Sequence, residues 1–228
     1  MIISHKHKFI FLKTRKTAST STEFALNEIC GPDDIVTPVT SNEPNRTGLG
    51  PRNYHYRPPL LSIEWPNLIS RYIRNGKMPL DYDQHMHGWR VKRRVGAKIW
   101  NSYFKFAFDR NPWDREVSWY SHQLPQGRFT GDFKEHLQRL PTHKIGNYEI
   151  YSCNGKVAVD FLGRYENLEA DLAYVMRQVG VQSELKLGRL NSHRRDRSKP
   201  YQEWYDEESR ELIRRTYQRE IELLNYSF

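Results

Sequence analysis

Lys8 to Pro32 reads KFIFLKTRKTASTSTEFALNEICGP, and this stretch decides the fold. Its opening, Lys8 to Lys13, is a short aromatic and β-branched run of the kind that forms a buried strand, and it is expected to be the first one. A polar stretch follows from Thr14 to Thr20. Thr22, Ala25, Leu26 and Ile29 then recur at helical offsets until Gly31-Pro32 stops the pattern. The unit is strand, loop, helix, and the loop carries lysines and small hydroxyl residues but no glycine.

Outward from this unit the same alternation continues. Asp33 to Pro38 is a candidate short strand, followed by a stretch from Val39 to Pro59 that is rich in Pro, Asn, Gly and Arg and has no period. Trp65, Leu68, Ile69 and Tyr72 mark a helix that Pro66 begins and Gly76 ends, and His85 to Gly96 is read as a strongly basic helix. Tyr103 to Asp109 alternates aromatics with other residues and reads as a central strand. Asn111-Pro112 then caps a helix whose apolar face is Trp113, Val117, Tyr120 and Leu124. Tyr148 to Ser152 and Lys156 to Leu162 flank Asn154-Gly155, a dipeptide suited to a tight hairpin. Asn167 is expected to cap a helix carrying Leu168, Leu172, Val175, Met176 and Val179 that Gly180 closes. Asp206 begins a last helix with Leu212, Ile213, Ile221 and Leu224. Strands alternating with helices predict an α/β fold with both sheet faces covered.

The chain has 228 residues and no linker rich in Gly, Ser or Pro, so a single domain over 1–228 is expected. Lys plus Arg number 36 against 27 Asp plus Glu, a formal net charge of +9, which suits an anionic ligand. The aromatic content of 14 Tyr, 10 Phe and 6 Trp excludes wholesale disorder. Phe9 to Leu12 is too short for a signal segment or a membrane span, so a soluble protein is expected. The two cysteines, Cys30 and Cys153, are too few for a disulfide framework and fit a reducing compartment.

Small hydroxyl residues at a helix start leave backbone N–H groups and side-chain donors facing outward, an arrangement suited to phosphate or sulfate. A neighbouring lysine adds positive charge that can follow negative charge developing on a leaving oxygen. A capped helix beside solvated lysines is the plainer reading of the same residues. A nucleotide-kinase P-loop needs the spacing G-x-x-x-x-G-K-[ST], which fails here on its glycines. In the second constellation, Phe106 to Ser118, Arg110 leaves a strand end and Ser118 lies two turns into the next helix, so both can reach one phosphate. Equally, Arg110 can pair with Asp114 and Ser118 can bond the preceding turn.

Together the two segments resemble the 5′-phosphosulfate loop and 3′-phosphate motif of sulfotransferases that use 3′-phosphoadenosine 5′-phosphosulfate (PAPS), in the carbohydrate and heparan sulfate 2-O-sulfotransferase branch. Lys16-Thr-Ala-Ser-Thr-Ser21 matches that family's Lys-Thr-(Ala/Gly)-Ser-Thr-Ser form, and Phe106 to Tyr120 is similar to its Phe-x-Phe-x-Arg-Asn-Pro-x-x-Arg-x-x-Ser-x-Tyr run. Phe161 to Leu168 and Tyr226-Ser-Phe228 resemble later family segments. The resemblance implies a P-loop-like three-layer α/β/α fold with a central, mainly parallel sheet. It further implies that Lys16 contacts the oxygen bridging phosphate and sulfate. Thr17, Ala18, Ser19, Thr20 and Ser21 would hold the 5′ end, and Arg110 with Ser118 the 3′-phosphate.

Such a transfer needs a base for an acceptor hydroxyl, and neutral histidine suits that role. His85-Met86-His87 is similar to the His-x-His pair of the 2-O-sulfotransferases, with His85 the first choice and His87 the second. A pair of surface histidines on a basic helix is the plainer reading, and a two-histidine metal site lacks a third ligand nearby. Arg189, Arg194, Arg195, Arg197 and Lys199 against Asp196 make a basic segment. There the resemblance places a nucleotide-covering loop and assigns Ser192 and Arg195 to the cofactor. Arg15 stands where the family commonly has proline before the lysine. The expected reaction is sulfuryl transfer from PAPS to a hydroxyl of a glycan or glycolipid by in-line displacement, without a metal, in a cytoplasmic enzyme lacking a membrane anchor. The competing readings are a P-loop-like phosphotransferase, which would bind ATP with magnesium, and a basic nucleic-acid-binding protein.

Overall fold

The computed structural model describes residues 1–39, 49–56, 81–140, 146–182, 185–188 and 199–228, together with Pro66, Ile69, Ser70 and Ile73. Strands β1 (Ile2–Ser4), β2 (Phe9–Phe11), β3 (Ile35–Val36), β4 (Phe104–Asp109) and β7 (Phe161–Arg164) form one sheet in the order β3-β1-β2-β4-β7. β2 pairs parallel with β4, and β4 with β7, whereas β1 is antiparallel to both β2 and β3. β1 alone therefore opposes the common direction, and the sheet is mainly parallel as expected. Lys8 to Lys13 supplies the second strand rather than the first.

The pleat divides the hydrophobic residues between two layers. On one face, Phe9, Phe11, Phe106 and Phe108 pack with Leu26 of α1 (Ser19–Ile29) and with Leu172, Val175 and Met176 of a helix at Leu168–Gln178. On the other, Ile10, Leu12 and Ala107 meet Val91 and Trp100 of α2 (Gly88–Ser102) and Ile150 and Tyr151 of a short helix at Tyr148–Tyr151. Helices thus cover both faces. A third cluster lies on α3 (Pro112–Gln123), where Trp113, Val117 and Tyr120 pack with Phe133 and Leu137 of α4 (Phe133–Gln138) and with Ile213 and Tyr217. Leu124, expected on the same face as Trp113, is exposed.

The remaining elements are α5 (Tyr148–Tyr151), β5 (Ser152–Cys153), β6 (Lys156–Val157), α6 (Leu168–Gln178), α7 (Glu207–Thr216) and α8 (Gln218–Leu224). The hairpin at Asn154-Gly155 forms with both residues at positive φ, 52° and 73°, but it is shorter than the expected Tyr148 to Leu162. Tyr148 to Tyr151 is helical, and Phe161 onward joins the main sheet. Asn167 holds the N-cap position of α6 as expected, but its side chain makes no cap bond, and its amide donates to Asp171 Oδ1. Asp206 caps α7 through a reciprocal pair with Ser209, and the helix read as continuous breaks at Tyr217 (φ −117°, ψ 28°). α2 starts at Gly88, not His85, and Gly96 (φ 81°) interrupts it without ending it. Pro66, Ile69 and Ile73 are helical, whereas Trp65, Leu68, Tyr72 and Gly76 lie outside the described residues. No helix among the described residues is long and apolar enough to cross a membrane.

Candidate active site

β2, β4 and β7 run side by side in one direction, so the segments leaving their carboxyl ends gather along one sheet edge, the usual ligand position in an open α/β sheet. Lys13 to Ala18 leaves β2, Arg110-Asn111 leaves β4 and Tyr165-Glu166 leaves β7.

The first of these segments is bent by two residues with left-handed backbone, Lys16 at φ 62° and Ala18 at φ 53°. Neither is glycine, so each conformation costs on the order of 1 kcal/mol and needs support from its surroundings. The Thr14 hydroxyl bonds the Phe108 carbonyl and lies 2.8 Å from Thr17 Oγ1, while Ser19 Oγ donates to the Thr14 carbonyl at 2.7 Å. Thr17, Ser19 and Ser21 are buried. The loop therefore spends the Thr17 and Ser19 hydroxyls on its own shape. Ala18, the N-cap of α1, caps nothing with its side chain, which leaves the positive end of the helix dipole available to an anion. Lys16 is half-buried, its ammonium 5.9 Å from the centre of the Trp119 ring.

Arg110 joins the second segment to the first. Its Nη1 donates to the Lys16 carbonyl at 3.1 Å, and its Nε and Nη2 meet Asp114 Oδ2 at 2.7 and 2.6 Å. Its guanidinium lies 4.2 Å from the centre of the Tyr165 ring. The plainer pairing with Asp114 is thus realised, in the same geometry that holds Arg110 against the loop. Ser118 follows one turn beyond Asp114 and is half-buried.

Beneath these residues Asp109 is fully buried and accepts four hydrogen bonds. Arg110 N–H, Arg115 Nη1 and Asn147 Nδ2 reach its Oδ1 at 2.8, 2.7 and 2.9 Å, and the Tyr151 hydroxyl reaches Oδ2 at 2.8 Å. Burial and the adjacent Asp109 raise the Tyr151 pKa, so its hydroxyl stays protonated as the donor. The later family-like segments converge here too. Glu166 Oε1 accepts the Asn111 N–H at 2.8 Å, the Asn111 amide donates to the Ser227 carbonyl at 2.7 Å, and Phe228 packs on Trp113. The Asn111 Oδ1 caps α3 as expected by accepting from Trp113 N–H.

His85 sits in the turn before α2, its Nδ1 2.9 Å from the Lys13 carbonyl. A carbonyl only accepts, so Nδ1 carries the proton and Nε2 keeps its lone pair. Burial, with smaller contributions from the Lys13 and Arg15 charges, lowers its pKa to about 3. His87 is the N-cap of α2, and its pKa is lowered mainly by burial, with Glu149 opposing. The Lys13 carbonyl therefore ties His85 to the strand end that leads to Lys16. Ser192 and Arg195 lie outside the described residues, as does most of the basic segment from Arg189. The sequence pointed to Lys16, Arg110 and the histidines but gave no role to Asn147, Trp119 or Tyr165. Trp119 and Tyr165 lie inside the family-like segments Phe106 to Tyr120 and Phe161 to Leu168, whereas Asn147 lies outside every such segment.

A sulfotransferase family model matches residues 1–227. A protein of Archaeoglobus fulgidus described as an uncharacterized protein is 38% identical over 111 residues, which are 47% of this chain and 92% of that protein. No solved structure matches. With the family match running the length of the sheet, the loop and the docked tail, this chain belongs to the sulfotransferase family.

Proposed function

We propose that the protein transfers a sulfuryl group from PAPS to an acceptor hydroxyl, and that 1–228 is one P-loop-like domain dedicated to this reaction. The observation that carries the reading is the Arg110 contact to the Lys16 carbonyl, which joins two anion-suited segments at adjacent parallel strand ends. The donor supplies an activated sulfuryl group. The start of α1, where Ala18 is exposed and Thr20 half-buried, together with Lys16 holds its 5′ end, while Arg110 and Ser118 hold its 3′-phosphate and Tyr165 backs the Arg110 guanidinium.

His85 Nε2 accepts the acceptor's proton as its oxygen bonds to sulfur, and His87 is the alternative base. Lys16 balances the negative charge left on phosphate as the sulfur–oxygen bond breaks. A preorganised ammonium in a partly dry site acts more strongly than one in water. For the acceptor we favour a hydroxyl of a glycan or glycolipid, on the likeness of His85-Met86-His87 to the 2-O-sulfotransferase pair. Unpaired Cys30 and Cys153 suit a cytoplasmic setting.

Calorimetric titration with adenosine 3′,5′-bisphosphate, against ATP with magnesium, tests this reading. The bisphosphate is expected to bind selectively, and Arg110→Ala to weaken it by about tenfold or more, the effect of losing charge-assisted hydrogen bonds. Preference for ATP, or unchanged binding in the variant, would overturn it.

A further inference from the structure

The loop that carries Lys16 holds two left-handed residues without a glycine, and Arg15 occupies the position before the lysine with a φ that is not positive. A proline there would fix φ near −65° by its ring. Arginine leaves φ free but presents an N–H, and that N–H donates to Asn147 Oδ1 at 2.8 Å. Asn147 Nδ2 in turn donates to the Arg15 carbonyl at 3.1 Å and to Asp109 Oδ1 at 2.9 Å. One buried amide thus grips both backbone polar groups of Arg15, as a neighbouring strand would. Its orientation is fixed, because the Nδ2 side faces two acceptors and the Oδ1 side a donor. Asn147 precedes α5 yet makes no cap bond to that helix, so its side chain is committed to the loop.

We propose that Asn147 is a positioning residue that clamps Arg15 and thereby holds the turn at Lys16, in the place of a ring-restricted residue. The proposal rests on the reading of Lys16 as the group that meets the leaving phosphate. It makes a prediction about coupling: removing the Asn147 amide should loosen the loop when residue 15 is arginine and matter little when residue 15 is proline.

Hydrogen exchange of the 14–18 segment, followed by mass spectrometry on the full chain, tests this in wild type, Asn147→Ala, Arg15→Pro and the double variant. Asn147→Ala is expected to speed exchange about tenfold, as loss of one or two hydrogen bonds would, and by less than about threefold in the Arg15→Pro background. Should the alanine variant not fold, Asn147→Ser, too short to span both Arg15 groups, gives the same comparison. No change in exchange, or the same acceleration in both backgrounds, overturns the clamp.

Acceptor-independent hydrolysis of PAPS separates the underlying reading. Asn147→Ala should lower its kcat roughly tenfold to a hundredfold with the affinity for adenosine 3′,5′-bisphosphate held within about threefold. Unchanged hydrolysis in Lys16→Ala would sink the catalytic reading and leave the exchange result standing.

Discussion

Lys13 and Lys16 lie three residues apart on the same loop and have opposite surroundings. Lys13 is buried, its ammonium 2.5 Å from Glu23 Oε2 and 3.2 Å from Gln84 Oε1, whereas Lys16 stands half-buried beside Trp119. Glu23 stays ionised there because the Met1 amine and Lys13 together outweigh its burial. Glu23 also meets the Met1 amine at 3.1 Å, but losing the closer Lys13 cation from this buried cluster leaves its charge under-compensated, so Lys13→Met should cost about 3 kcal/mol of stability. Lys16→Met should remove sulfuryl transfer at a smaller cost in stability, because Lys16 is only half-buried. Urea denaturation and PAPS turnover on the two variants check this. Transfer that survives in Lys16→Met but fails in a stable Lys13→Met would exchange the two roles.

At the scale of elements, β7 reaches β4 because Gly163 has no side chain. A Cβ at that position would fall 2.6 Å from Phe108 Cδ1 and 2.9 Å from Asp171 Oδ2. Phe108 is fully buried and cannot yield, so Gly163→Ala should destabilise by about 1–3 kcal/mol, read as a lower urea midpoint with an unchanged slope. An unchanged midpoint would mean that β7 is not packed this closely. The pairing also shows what the sequence could carry. β2, α1, β4, α3 and α6 were legible because each has its own period and stop signals. β1 was not, because three residues hold no period and Ile2–Ser4 is a strand through pairing with β2 on one side and β3 on the other. The candidate site divides in the same way. Lys16 and Arg110 announce themselves in local motifs, but the Asp109 bonds to Asn147 and Tyr151 join residues about forty positions apart, and no local pattern marks such partners.

Across the whole molecule, two of the buried groups, His85 and Glu220, titrate in opposite senses and their effects on stability offset one another. His85 has its pKa lowered by burial to about 3 from an ordinary 6.5, so the unfolded chain binds a proton that the folded chain refuses between those values. Its contribution is present above pH 6.5 and is lost as pH falls. Glu220 of α8 faces Arg115 of α3, with Asp109 and Glu149 also acting on it, and burial outweighs the Arg115 attraction to raise its pKa to about 7 from 4.5. Its contribution is complete below pH 4.5 and is lost as pH rises through 7. Between pH 4.5 and 6.5 the two proton balances cancel, and the pair adds no slope to the stability. Separate variants should uncover each half. With His85→Gln, stability should fall relative to wild type as pH rises across that interval. With Glu220→Gln, it should rise relative to wild type instead, because the glutamate no longer offsets the histidine. Urea midpoints of the three proteins measured from pH 4.5 to 6.5 give the comparison. Parallel curves for wild type and His85→Gln would show that the imidazole titrates alike in both states, and its place against the Lys13 carbonyl would no longer account for a neutral base at Nε2.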